Sequence, residues 1–271
     1  MDLRKLCEKI QLQKEIVIQI EEFVENYDIA SLDYLIEKLR RADSSADAQQ
    51  ELEKLFADTA LTNIPLLTCQ LLAAARNYTL FQEKEISDEI YYDTMSAFTR
   101  FCEETHRYSG NWHYDRAGWS YRHASMLLFR IGILEYEFRT YKGEPMISLH
   151  IPSDTVFSEI NLNKTFKLAK EFVAKYYPEH VNERIYCESW IMAPKLQKLL
   201  PETSGIIRFH KRFEPIVESL QPDCCLKWVF HCNDQTPLEE LPENTSLQCK
   251  IKKMMLAGEH LYGGFGILSD C

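Results

Sequence analysis

All nine glycines of this chain of 271 residues lie at position 110 or later, and nine of its ten prolines lie at 145 or later. Glycine supplies the positive φ of tight turns, and proline ends helices and interrupts strand ladders, so a fold of strands and turns uses both. Their absence from the first hundred residues, Pro65 excepted, predicts a purely helical N-terminal domain. The shift in composition puts the boundary near residues 110–126 and predicts two domains, 1–122 and 123–271.

Within the helical part, Leu3, Leu6, Ile10, Val17, Ile20 and Val24 follow 3–4 spacing, interrupted at Gln13, and predict one helix with a single apolar stripe. About three heptads are too few for a coiled-coil seam, so the stripe reads as core-facing. Ser31 is placed to cap a second helix carrying Leu32, Leu35, Ile36 and Leu39. Asp43-Ser44-Ser45 reads as a loop, and Leu52, Leu55 and Phe56 mark a third helix. Asn63 is expected to cap a fourth, with Pro65 tolerated in its first turn, and Ser87 a fifth, long one. Asp115 is expected to cap a sixth, on which Trp119 can stack on Arg122 or His123, as a ligand wall or as ordinary packing.

From Leu127 to Ile151 the pattern changes. Alternation from Leu134 to Phe138, the turn Lys142-Gly143-Glu144-Pro145, and renewed alternation from Met146 predict a β-hairpin. After it, Leu162–Tyr176 reads as a helix, Arg184–Trp190 as a strand, Ala193–Leu200 as a short helix, and Gly205–Phe213 and Leu226–Cys232 as strands. Thr245-Ser246-Leu247-Gln248 is a capping box that opens a helix running to Ala257. Leu261–Leu268 is a last strand whose glycines mark a bulge or a close backbone approach. The fold class is α/β (α+β): a helical domain, then a mixed sheet flanked by helices.

Composition narrows the partners. At 45% hydrophobic and 27% charged residues the chain reads as globular, and a net charge of −10 without a basic patch argues against nucleic acid. The longest apolar run, Ile64–Ala75, is interrupted by Thr68 and Gln70 and is far short of the roughly 20 residues that cross a bilayer, so no membrane partner is expected. Nine cysteines without C-x-x-C spacing and without a leader segment read as reduced thiols in a cytoplasmic protein. Cys224-Cys225 fits neither an ordinary disulfide nor a zinc pattern.

The chemistry is carried by polar residues at alternate strand positions. Glu135 and Glu137 share one face of their strand, Ser148 and His150 one face of the next, and Glu188 lies between Tyr186 and Trp190. Arg208, His210 and Arg212 would share a face of a later strand. Were these faces to coincide, a carboxylate and an imidazole could serve as general base and acid. The alternative is a solvated face with ion pairs. His106, His113 and His123 lack metal-ligand spacing, so no metal is expected, and Cys187 reads as a core residue.

Several segments in this order resemble a bacterial family of acyltransferases: Trp119-x-x-Arg122, LLFRIGILEYEF, LHIP, CESWIMAPKLQKLLPETSGIIRFHKRF, LPENTSLQ and AGEHLYGGFGIL. That family joins an N-terminal helical domain to a C-terminal domain like the GNAT-type N-acetyltransferases. The resemblance implies an N-acyltransferase that moves an acyl group from acyl-CoA to a small-molecule amine. It implies Glu188, His150 and Glu137 as catalytic candidates. It also implies a pyrophosphate cradle in Pro152–Lys164, with Ser153, Thr155 and Trp190 as residues that contact CoA. The usual cradle is glycine-rich and rests on a helix N-terminus; the stretch here has no glycine and carries Asp154 and Glu159. The other reading is a non-catalytic ligand-binding or scaffold protein that keeps the fold.

Overall fold

The computed structural model describes residues 1–57, 63–219, 226–232 and 235–269; the pair Cys224-Cys225 lies outside them. The chain divides into two units, Met1–Ile131 and Gly132–Cys271. The described helices of the first unit are α1 (Leu3–Lys9), α2 (Lys14–Asn26), α3 (Asp33–Leu39), α4 (Ser45–Leu55), α5 (Ile64–Glu83), α6 (Asp88–Ser109) and α7 (Ala117–Ala124). Strand β1 (Leu128–Ile131) closes the unit. Among the described residues no strand precedes Gly110.

The apolar run that begins at Ile64 becomes the first half of α5, which packs against the six other helices of the unit. A helix apolar all round is stable only when it is surrounded. Its buried polar residues are fully engaged. Gln70 Nε2 donates to Gln49 Oε1 on α4 and to the carbonyl of Ala117 on α7, each at 2.7 Å. Asn77 Nδ2 donates to the carbonyls of Arg40 and Ala124. These bonds fix α4, α7 and the end of α3 against α5, because an unsatisfied amide there would cost about 1–3 kcal/mol.

Several expected helix starts shift. The N-terminal stripe is two helices, because Gln11 takes φ 55° and breaks the chain between α1 and α2. Ser31 lies inside a 3₁₀ turn, Ile29–Leu32, and α3 begins at Asp33 without a side-chain cap. Ser45 is helical rather than loop. Asn63 does occupy the N-cap of α5, but at φ 46°, and its amide donates to the Tyr114 carbonyl instead of capping. Ser87 caps α6 as expected. Asp115 does not cap α7: its carboxylate accepts from Thr105 Oγ1 at 2.7 Å and from the Tyr108 hydroxyl, and pairs with Arg116. On α7 the Arg122 guanidinium sits 4.5 Å from the Trp119 ring, while His123 is buried beside Phe98 and Phe101.

In the second unit the order is β2 (Leu134–Tyr141), β3 (Glu144–His150), α8 (Glu159–Tyr176), β4 (Ile185–Ser189), α9 (Leu196–Leu199), α10 (Gly205–His210), β5 (Phe213–Glu218), α11 (Ser246–Leu256) and β6 (Gly264–Leu268). Its strands lie side by side as β2-β3-β4-β6-β5. The β3–β4 pair is parallel; β2–β3, β4–β6 and β5–β6 are antiparallel. A parallel pair needs a crossover, and α8 supplies it. Ser158 caps α8, and the helix buries Leu162, Phe166, Ala169, Phe172 and Val173. A second core, with Leu196, Leu226, Phe230, Ile251 and Leu261 at its centre, joins α9 and α11.

Two expected strands are helical. Gly205–His210 is α10, and the strand starts only at Phe213. Over six residues period 2 and period 3.6 are hard to separate, and the buried Ile207, Phe209 and His210 fit either one. Leu226–Phe230 is a turn of π-helix that buries Leu226, Val229 and Phe230. The glycines of the last strand mark a close approach: a Cβ on Gly264 would lie 1.9 Å from the Met192 carbonyl oxygen.

The capping box is formed, with Gln248 N donating to Thr245 Oγ1 and Gln248 Oε1 accepting from Thr245 N, both at 3.1 Å. Thr245→Ala is expected to cost about 1 kcal/mol in equilibrium denaturation; an unchanged midpoint would mean that the box contributes nothing.

His210 is buried, its Nε2 2.5 Å from the Ile191 carbonyl, and burial lowers its pKa from the ordinary 6.5. Well above pH 6.5 both folded and unfolded forms are neutral and the native fold keeps its full stability. As pH falls from there toward the lower folded value, the unfolded chain binds the proton first and stability drops. His210→Gln should therefore flatten the decline in stability below pH 6.5 relative to the parent protein, measured by urea denaturation across pH.

Candidate functional site

The antiparallel register of β2 and β3 sets Glu135 opposite His150 and Glu137 opposite Ser148. Directly opposed residues share a face of the sheet. The parallel register sets Ser148 beside Tyr186, so His150 and Glu188, each two residues further along, lie on that face as well. Opposite Glu188 on β6 is Phe265. One face of the sheet therefore carries Glu135, Glu137, Ser148, His150, Tyr186 and Glu188. The other face carries Tyr136 and Phe138, and Phe138 packs on Tyr177 and His180 at the end of α8.

The pairing of β3 with β4 is short. Only Ile147–Ile185 and Ser148–Tyr186 are in register, although β3 continues to His150 and β4 to Ser189. Beyond Ser148 and Tyr186 the β3–β4 ladder stops, which leaves an opening between the ends of the two strands. His150 and Glu188 stand at this opening, both partly exposed.

His150 Nε2 is 2.8 Å from Glu137 Oε2, with the Glu137 side chain 6% and the His150 side chain 18% exposed. Arg139 approaches the same carboxylate oxygen at 3.9 Å. A buried carboxylate bonded to one imidazole nitrogen fixes the orientation of the ring. Tyr186 bonds to Ser148, and burial is the main cause of its raised pKa, so its hydroxyl stays protonated. Tyr141, Tyr186 and Phe265 form an aromatic cluster on this face, with centroids 4.6 Å (Tyr141–Tyr186), 5.1 Å (Tyr141–Phe265) and 5.5 Å (Tyr186–Phe265) apart.

The remaining expected residues fall elsewhere. Trp190 lies in a 3₁₀ turn, Trp190–Met192, and packs against the second core. Thr155 donates its hydroxyl to the Ile133 carbonyl at 2.9 Å. Ser153 is exposed in the β3–α8 connection. Glu159, in the first turn of α8, pairs with Arg212, which also donates to Asn163 Oδ1 at 2.6 Å. Arg208, His210 and Arg212 share no strand face; the first two are on α10 and Arg212 follows it. Cys187 is fully buried, and burial pushes its thiol well up, which removes it as a nucleophile. Among the described residues no cluster of His, Cys, Asp and Glu could hold a metal ion, and no helix is long and apolar enough to cross a membrane. The Tyr141 and Phe265 cluster was not visible in the sequence, because its members come from strands whose register is set by other residues.

No curated protein matches the sequence. Among solved structures, an acyltransferase in complex with decanoyl-CoA superposes with a TM-score of 0.75 at 22% identity, covering 98% of this chain and 86% of that one. An acyltransferase in complex with decanoyl-CoA and teicoplanin gives 0.76 at 21% identity, covering 98% and 86%. Another, with CoA and 10C-teicoplanin, gives 0.76 at 21%, covering 98% and 87%. These likenesses show the fold. Residues 1–126 match the model of the N-acyltransferase N-terminal domain, and residues 128–268 match that of the GNAT-like C-terminal domain. The chain therefore belongs to the family in which an N-acyltransferase N-terminal domain precedes a GNAT-like C-terminal domain.

Proposed function

We propose that the protein transfers an acyl group from an acyl-CoA thioester to the amine of a small-molecule acceptor. The observation that carries this reading is the opening between β3 and β4 with the Glu137–His150 pair on its face. Family membership and the likeness to acyltransferases bound to CoA, decanoyl-CoA and teicoplanin support it.

In this reading the thioester lies in the gap, with its carbonyl oxygen toward the main chain of β4 beyond the end of the ladder. Fixed main-chain donors stabilise the negative charge that develops on such an oxygen. The acceptor nitrogen attacks the carbonyl carbon, the carbon–sulfur bond breaks, and CoA leaves as thiolate. The proton lost by the nitrogen passes to the Glu137–His150 pair, in which the Glu137 carboxylate stabilises an imidazolium. Glu188, across the gap, attracts an acceptor that arrives as an ammonium ion and takes the first of its two protons, so that the neutral amine attacks and the second proton goes to the Glu137–His150 pair. A cytoplasmic place would give access to acyl-CoA and suits the unpaired state of Cys7, Cys69, Cys102, Cys187, Cys232 and Cys249.

The test is a thiol-release assay with acetyl-, octanoyl- and decanoyl-CoA against a panel of primary amines. Positioned acid–base groups contribute about 10²–10⁴ in rate. Glu137→Gln is expected to lower kcat by roughly 10²-fold, with KM for the thioester little changed. A wild-type kcat in this variant would remove the pair from catalysis. Binding of CoA with no turnover of any thioester would favour the ligand-binding reading instead.

A further inference from the structure

The β3–α8 connection has no glycine with which to wrap its backbone around a diphosphate, yet α10 brings two arginines beside it. Gly205 and Phe209, on one side of α10, rest on Phe157 of that connection. A Cβ on Gly205 would lie 2.8 Å from the Phe157 carbonyl oxygen, and the Phe157 and Phe209 rings are 4.8 Å apart. Arg212, just past the helix, reaches the first turn of α8 through Glu159 and Asn163. Arg208 is three residues after Gly205, so helical spacing puts it on the Gly205 side of α10, the side that rests on Phe157. Its Nε is sealed from solvent, and among the described residues it has no hydrogen-bond acceptor. A buried guanidinium N–H without an acceptor is uncommon and calls for one.

We infer that Arg208 and Arg212 form a side-chain clamp for the diphosphate of CoA and do the work that a glycine-rich backbone does elsewhere. The inference rests on the acyl-CoA reading. A guanidinium presents N–H groups in a fork that fits two phosphate oxygens at once. Two of them beside the connection offset the negative charge of Asp154 within it and of Glu159 in the first turn of α8. Glu159 now holds Arg212 by an ion pair, so a carboxylate stands where a phosphate oxygen would bind. An arriving diphosphate displaces Glu159 from Arg212 and supplies the acceptor that Arg208 Nε lacks.

Isothermal titration of the full chain with CoA, and with pantetheine, which has the thiol arm but no phosphate, tests the clamp. Arg208→Gln is expected to bind CoA at least about tenfold more weakly while pantetheine affinity stays as in the wild type. Glu159→Gln removes the competing carboxylate and should bind CoA a few-fold more tightly, a gain that misfolding cannot produce. Equal CoA affinity in the wild type and Arg208→Gln overturns the clamp and leaves the acyl-CoA reading standing. Parallel loss of CoA and pantetheine affinity in Arg208→Gln overturns it too, since a phosphate clamp does not touch the thiol arm. Wild-type protein that binds neither molecule overturns the acyl-CoA reading and the clamp with it.

Discussion

Two residue pairs, Ile147–Ile185 and Ser148–Tyr186, are the only seam between β3 and β4, and the arrangement of the second unit depends on it. The seam is parallel, so it requires the α8 crossover, which covers the Tyr136 and Phe138 face of the sheet. Because the seam ends early, the last residues of β3 and β4 are not joined in register, and the sheet opens between them. On its other edge β4 is fastened to β6 by four pairs, from Tyr186 to Ser189, and so cannot turn back toward β3. That fastening depends on Gly264, whose missing side chain lets β6 lie against the turn after β4.

The polarity of the open face follows from strand alternation, but its electrostatics follow from burial. Glu137 is nearly sealed, and an ionised carboxylate there is costly unless it is paired. His150 and Arg139 meet that need. A buried polar pair of this kind is a weak stabiliser compared with well-packed apolar residues of similar size. In the proposed reaction the pair serves proton transfer instead.

The turn after β4 and the start of α8 are both tied to α10. His210 holds the Ile191 carbonyl, and Arg212 holds Glu159 and Asn163. One short helix and the residue just after it thus hold the turn after β4 and the first turn of α8. Read as a strand, the same residues would have been spread along one edge of the sheet, with no means of meeting α8.

The sequence by itself determined the helical first unit, through its lack of glycine and proline, and the local signals that depend on neighbours: the Ser87 cap, the Thr245 capping box, the turn at Gly143, and the alternation of β2 and β3. It also put Glu135 with Glu137, and Ser148 with His150, on common faces, since a strand's period of 2 is a local property. Tertiary structure decided what no window of sequence contains. Register across strands set His150 on Glu137 and brought Glu188 to the same face, because pairing partners are many residues apart. Packing against Phe157 and the second core made Gly205–His210 and Leu226–Phe230 helical, where six or five residues fit either period. Asp115 gave up its capping role to Thr105, Tyr108 and Arg116, stronger partners that only the fold brings within reach.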